Sequence, residues 1–287
     1  MEFLELFNYS IWVHTNAERR SGYMLVDQVI LRFPGPTPLP PSVQRALNQP
    51  MYGKGPETID LVKRIQPKLR PVFGTKQEVA VMSGSGTAGL ETAVVSLTKP
   101  GDEVLVIVTG MFGELFVNIC QAHGIKVNRL DVEWGDIVDP SDVEAFLKQN
   151  PQIKLVFSTF CETSTGVINP VKELAQVVHD SSNALLISDG VSSVGGVEAR
   201  MDEWGVDVLI TGSQKAMMVP AGLAFVALSE RAKQVAREND RPRYFFDYNR
   251  YLDVLSSGGT PFTPALALLY ALEQSLDLMH EEGLEQV

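Results

Sequence analysis

The chain has 287 residues, enough for one large α/β domain with room for part of a second, and its 45% hydrophobic and 21% charged content excludes collagen-like and low-complexity classes. Its net charge is −11, from 24 basic against 35 acidic residues, and no run of Lys and Arg supplies the basic face that nucleic acid requires. Two cysteines, Cys120 and Cys161, cannot form a disulfide framework and fit a reducing, cytoplasmic setting, while no apolar stretch reaches the ~18 residues of a membrane span.

Residues 1–23 mix aromatic and polar residues without a clear period, and Glu2, Glu5, His14 and Glu18 break the basic-then-apolar order of a signal peptide. They are read as an extension: either a short helix, or sequence upstream of a natural start at Met24. From residue 78 strands and helices alternate. Strands are expected over 78–82, 103–108, 126–130, 154–158, 184–188, 206–211 and 222–228, each a short apolar run. Helices are expected over 87–97 and 114–123, after Pro170, and from Thr263-Pro264 to Gly283. Asp139-Pro140-Ser141-Asp142 reads as a helix start, with a capping Asp and Pro in the first turn. Such alternation predicts a mostly parallel sheet with helices on both faces and a ligand site beyond the strands' carboxyl ends.

Three of those strand ends carry chemistry. Ser83-Gly84-Ser85-Gly86-Thr87 lies between a strand and a helix start, where small residues allow close approach and free N–H groups favour an anion. The same stretch fits a dinucleotide fingerprint, Gly84, Gly86 and Gly89. That fingerprint asks for an acid at the end of the next strand, which closes on Val108-Thr109-Gly110; Asp102 and Glu103 lie at its beginning. Asp189 directly follows the 184–188 strand. Lys215 follows the 206–211 strand among Gln214, Ala216, Met217 and Met218, apolar company that would lower an amine's pKa. Singly, each has a structural reading: a capped turn, a turn Asp before Gly190, a solvated loop lysine. In this order they give one molecule, pyridoxal 5'-phosphate (PLP), a partner each for its phosphate, ring nitrogen and aldehyde.

Residues 33–228 resemble the class V aminotransferase family, which contains the alanine–glyoxylate and serine–pyruvate aminotransferases. The resemblance is carried by Pro34-Gly35-Pro36-Thr37, Ser83-Gly84-Ser85-Gly86-Thr87, Glu162-Thr163-Ser164-Thr165-Gly166, Ser188-Asp189-Gly190-Val191-Ser192-Ser193 and Gly212-Ser213-Gln214-Lys215. It implies the large domain of the type I PLP-transferase fold, α/β with a mostly parallel sheet. It also implies roles: Ser85, Gly86 and Thr87 on the phosphate, Phe112 stacked on the ring, Thr163 on the ring hydroxyl side, Asp189 on the ring nitrogen. Gln214 would approach the phosphate, and Lys215 would bond the aldehyde as a Schiff base. Thr260 would reach the phosphate of a neighbouring subunit, which makes a homodimer part of the site. The activity implied is transfer of an amino group from a small amino acid, alanine or serine, to a 2-oxo acid such as glyoxylate or pyruvate. The family's C-terminal small domain, with the arginine that clamps the substrate carboxylate, is not expected within 287 residues. The chain then divides into an extension (1–23), a PLP-binding domain (24–262) and a helix leading toward the missing domain (263–287), its apolar face open to a partner. Two other readings stand beside this one. The first is a lyase or cysteine desulfurase of the same fold, against which count Phe112 at the stacking position and the reading of Cys120 and Cys161 as buried structural thiols. The second is a truncated, non-catalytic PLP-binding remnant.

Overall fold

The computed structural model describes residues 34–50 and 55–287; the expectations for residues 1–23 and for Met24 lie outside them. The chain opens with α1 (Pro41–Ala46) and α2 (Pro56–Phe73), then alternates. β1 (Val79–Gly84), α3 (Gly86–Leu97), β2 (Glu103–Val108), α4 (Met111–Ala122), β3 (Lys126–Asp131) and α5 (Pro140–Gln149) lead to β4 (Leu155–Thr159). A short hairpin follows, β5 (Cys161–Glu162) with β6 (Val167–Ile168), then α6 (Val171–Ser181), β7 (Leu185–Asp189), α7 (Met201–Trp204) and β8 (Val208–Gly212). β9 (Gly222–Leu228), α8 (Glu230–Glu238), α9 (Tyr248–Leu255) and α10 (Leu266–Glu282) complete it.

The main sheet has seven strands in the order β1-β9-β8-β7-β4-β2-β3. The pairs β8–β7, β7–β4, β4–β2 and β2–β3 are parallel, and β9 alone runs against its neighbours. This is the mostly parallel α/β sheet that the sequence predicts. Its inner strands read as unbroken apolar runs because both faces are covered. In β2, Leu105 and Ile107 enter a core shared with α2, α5, α6 and α10. Val104, Val106 and Val108 of the same strand enter a second core with α3, α4, α8 and α9. The period of two therefore sorts one strand's side chains between two helical layers.

Element boundaries differ from the sequence reading where a turn residue proves to be part of a strand or helix. Gly84 belongs to β1 and Gly212 to β8, and α4 starts at Met111 rather than at residue 114. The Asp139 cap is present: its Oδ1 accepts the Ser141 N–H at 2.8 Å. Helices α1, α2, α8 and α9 are additions to what periodicity suggested. α2 runs through Pro67 and Pro71, each of which removes a helical donor, and it ends at Gly74. Gly74 has φ 61°, and a Cβ there would lie 2.2 Å from the Ala199 carbonyl oxygen, so that stop admits no side chain.

α10 begins at Leu266, three residues beyond the expected Thr263 start, and most of the apolar face expected to stand open is covered within the chain. Leu266, Leu269, Leu276 and Met279 are buried in the core that includes α1 and α2, and Tyr270 of the same face packs against that core but stays partly exposed. Arg64 and Lys68 of α2 pair with Glu273 at 2.6 and 3.6 Å, and Lys68 with Asp277 at 2.5 Å.

β1 is an edge strand with β9 on one side only. Gln66 of α2, buried, closes the start of its open edge: Nε2 donates to the Val79 carbonyl at 2.7 Å and Oε1 accepts the Val79 N–H at 3.1 Å. Gln66→Leu keeps the volume and leaves both backbone groups unpaired, so it should cost about 2–4 kcal/mol of stability. A lowered denaturant midpoint at unchanged slope would register this, and an unchanged midpoint would show that the edge does not need the clasp.

Candidate active site

β9 runs antiparallel to both β8 and β1, so β1 points the same way as the parallel strands. The carboxyl ends of β1, β2, β4, β7 and β8 therefore lie along one edge, with Asp189 opposite both Thr159 and Ile210 in register. Onto that edge the chain brings the 83–87 turn, the start of α4, the β5–β6 hairpin, Asp189 and the loop carrying Gln214 and Lys215. Asn169, buried, ties its floor together: Nδ2 donates to the Thr159 carbonyl at 2.9 Å and to Thr109 Oγ1 at 3.0 Å.

Ser85 stands at the N-cap of α3 but makes no side-chain cap bond, so its hydroxyl is not spent on the helix. The first amides of α3 have no partner inside the helix and sit at its positive end. A Cβ on Gly86 would meet Val191 Cγ2 at 2.7 Å, and one on Gly212 would meet Gln214 Oε1 at 2.8 Å and the Gly86 nitrogen at 3.3 Å. The turn, Val191 and the Gln214 amide are thus packed together, and a side chain at either glycine would displace its neighbour. Gln214 Oε1 is buried and, among the described residues, has no hydrogen-bond partner.

Asp189 is 4% exposed, and its Oδ1 accepts the Val191 N–H at 2.8 Å. Burial pushes its carboxyl up to about 7; the Val191 N–H and the Lys215 charge work against that rise, and the Glu162 charge adds to it. Lys215 is half-buried and, among the described residues, makes no ion pair. Desolvation lowers its pKa, opposed by Asp189 and Cys161.

The Lys215 loop is braced from both ends of the chain. Thr37 Oγ1 donates to the Lys215 carbonyl at 2.7 Å, and Thr37 N–H to the Gln214 carbonyl at 2.9 Å. Gly35 leaves no room for a Cβ, which would fall 2.6 Å from Lys215 Cδ. From the other side Ser275 of α10, fully buried, donates to the Met217 carbonyl at 2.5 Å. Met218 takes the left-handed φ of 51°, uncommon for a side chain of its size, and its N–H donates to the Lys215 carbonyl at 2.9 Å.

Phe112 lies half-exposed in the first turn of α4 at the end of β2, and Thr163 in the β5–β6 turn shares a 2.5 Å hydrogen bond with Ser192 of the Asp189 loop. Cys120 is buried as expected, its thiol pushed up to about 12 by desolvation. Cys161 departs from the expected buried state: it is only partly covered and lies close enough to Lys215 and Asp189 for their charges to act on it. Thr260 sits in a shallow crevice with Val81, Ser83, Tyr251 and Pro264. Sequence reasoning gave Glu162 no role. In the structure it is fully buried and accepts the N–H groups of Phe112 and Gly113. The available signal was Gly110: a helix start without a local Ser, Thr, Asp or Asn needs a cap from elsewhere.

Residues 42–287 match the family model described as aminotransferase class-V. An uncharacterized aminotransferase of Methanocaldococcus jannaschii is 42% identical over 269 residues, covering 91% of this chain and 69% of that protein. A serine–glyoxylate aminotransferase of Hyphomicrobium methylovorum is 39% identical over 264 residues, covering 90% and 65%. The crystal structure of a ureidoglycine–glyoxylate aminotransferase from Bacillus subtilis superposes with a TM-score of 0.83 at 34% identity, covering 90% of this chain and 68% of that one. The chain thus spans about two thirds of the length of these relatives. The match over residues 42–287 and these relatives place the chain in the class V aminotransferases, a family of pyridoxal-phosphate enzymes.

Proposed function

We propose that this chain moves an amino group from a small amino acid, alanine or serine, to a 2-oxo acid such as glyoxylate or pyruvate. The observation that carries the reading is the half-buried Lys215, without an ion pair among the described residues, beside the buried carboxylate of Asp189. The glyoxylate aminotransferases among its relatives support the choice of acceptor.

The residues fit pyridoxal 5'-phosphate. Ser85, Gly86 and Thr87 would hold the phosphate with α3 amides and hydroxyls, and the Gln214 side chain, packed against this turn, would complete that end through its amide N–H. Asp189 would pair with the ring nitrogen, Thr163 with the ring hydroxyl side, and Phe112 would cover the ring face. When bound, the cofactor supplies an electron sink for the carbon that loses its proton. Lys215 Nζ removes that proton from the α-carbon of the amino acid, and in the reverse half-reaction the same nitrogen returns one to the α-carbon of the product. Asp189 would keep the ring nitrogen protonated, which needs its own carboxylate ionised. A desulfurase is less well supported: burial raises the Cys161 thiol, which disfavours the thiolate nucleophile.

A homodimer completes the proposal. Tyr244 and Phe245 stand 68% and 39% exposed, and the Phe245 ring stacks on Phe262 in the crevice that Thr260 lines. Exposed aromatics beside a candidate phosphate ligand suit a face that a second copy covers. Light scattering should give a dimer, and Phe245→Glu should shift it toward monomer and weaken PLP binding; a monodisperse, fully active monomer would rule out a shared site.

Lys215→Ala should lose the visible band that PLP forms with the parent protein and lower serine–glyoxylate turnover by about 10²–10⁴-fold. A folded variant that keeps the band would remove Lys215 from its role. A parent that forms the band without turnover would favour the non-catalytic reading.

For Asp189 the raised pKa predicts a pH dependence. Relative to the unfolded chain, its stabilising contribution is complete below the ordinary carboxylate range and is lost as pH rises through about 7. Without cofactor, the melting temperature of Asp189→Asn should therefore gain on the parent's as pH rises from about 4 to about 7 and hold that gain above, while proton abstraction in the PLP-loaded variant slows strongly. A pH-independent difference, or parent-like turnover, would contradict the assignment.

A further inference from the structure

The first turn of α4 is capped from a different strand rather than from its own sequence. Gly110 at the N-cap has no side chain to offer, yet the N–H groups that follow are paired. Met111 N–H donates to Ser164 Oγ at 3.0 Å, Phe112 N–H to Glu162 Oε2 at 3.1 Å, and Gly113 N–H to the same oxygen at 3.2 Å. Ser164 closes the arrangement by donating to Glu162 Oε1 from its own N–H at 3.1 Å and from Oγ at 2.7 Å. The carboxylate is fully buried and is compensated by these donors and by the positive end of α4.

A local cap would have been simpler: Ser or Asp at position 110 satisfies a helix start with one side chain. That solution is closed, because a Cβ on Gly110 would lie 2.5 Å from both Glu162 Cγ and Ser164 Oγ. What the remote cap adds is a connection. Phe112 is tied to Glu162, the next residue Thr163 is hydrogen-bonded to Ser192, and Ser192 lies on the turn that follows Asp189.

We infer that Glu162 is a positioning residue that holds Phe112 and Thr163 in a fixed relation at the strand-end crevice, with Ser164 as its lock. The inference rests on the reading that Phe112 covers the ring of bound PLP. It adds that the ring's placement is set by a carboxylate that itself touches neither cofactor nor substrate.

The test uses an indole at position 112 as a reporter. In Phe112→Trp, PLP should quench the added emission. Adding Glu162→Gln should reduce that quenching by about half and weaken PLP binding about three- to tenfold, the worth of a misplaced aromatic contact. The Lys215-dependent visible band should persist at saturating PLP. If Glu162→Gln fails to fold, Ser164→Ala in the same background keeps the carboxylate and removes its lock, and should shift quenching in the same direction by a smaller amount. A folded variant with a lowered melting temperature and unchanged quenching would reduce Glu162 to a structural cap and overturn the inference. A different failure is distinguishable: if Phe112→Trp alone shows no added quenching while the Lys215 band is intact, the stacking reading falls and takes this inference with it.

Discussion

Parallel pairing of β2, β4, β7 and β8 requires each strand's exit to lie at the same sheet edge, and the single antiparallel strand β9 brings β1 into line with them. Groups far apart in sequence therefore meet without any loop crossing the sheet: the 83–87 turn, Asp189 and Lys215 are all exits of strands that run together. The same pairing fixes spacing, since neighbouring strands lie about 4.8 Å apart and their ends are held by the ladder rather than by flexible loops. A site on such ends inherits the stiffness of two apolar cores, one on each face.

Burial gives that edge its electrostatic character. Asp189 and Glu162 are both withdrawn from water, and they are handled differently. Glu162 is surrounded by backbone and hydroxyl donors that suit an anion. Asp189 has the Val191 N–H and the nearby Lys215 charge, too little to cancel its desolvation, so its ionised form is held at a cost. The chain has thus satisfied the carboxylate that supports the architecture and left the other short of a cation. Lys215 is left short in the complementary sense, a half-buried amine without a paired acid among the described residues. Groups kept out of balance in this way are the ones able to respond to a ligand.

How much of this the sequence displayed depended on whether a residue's role was local. The strands were legible because burial on both faces leaves continuous apolar runs, and the α5 start was legible because Asp139 caps its own helix. α2 was obscured by Pro67 and Pro71, which as local signals break a helix; here packing against α10 carries it through them. α10 looked too apolar for one narrow stripe because it serves α1, α2 and the Met217 carbonyl together. Asp189 and Lys215 were visible as polar residues ending apolar strands. Glu162 occupies the same kind of position, yet apart from Ser164 its partners, the Phe112 and Gly113 N–H groups, lie some fifty positions away, and nothing near it in the chain announces them.

The brace on Lys215 bears on the order in which the molecule is completed. Thr37 and Lys215 are separated by 178 positions, and Ser275 reaches Met217 from 58 positions further on. During synthesis the N-terminal half of the clamp emerges long before the loop it must grip, and the C-terminal half after it. Contacts of such long sequence separation close late, because the chain between must first be confined. The lysine loop therefore has its full brace only when residues 37 and 275 are both in place. The burial that lowers the Lys215 pKa thus belongs to the finished tertiary structure and not to the local sequence.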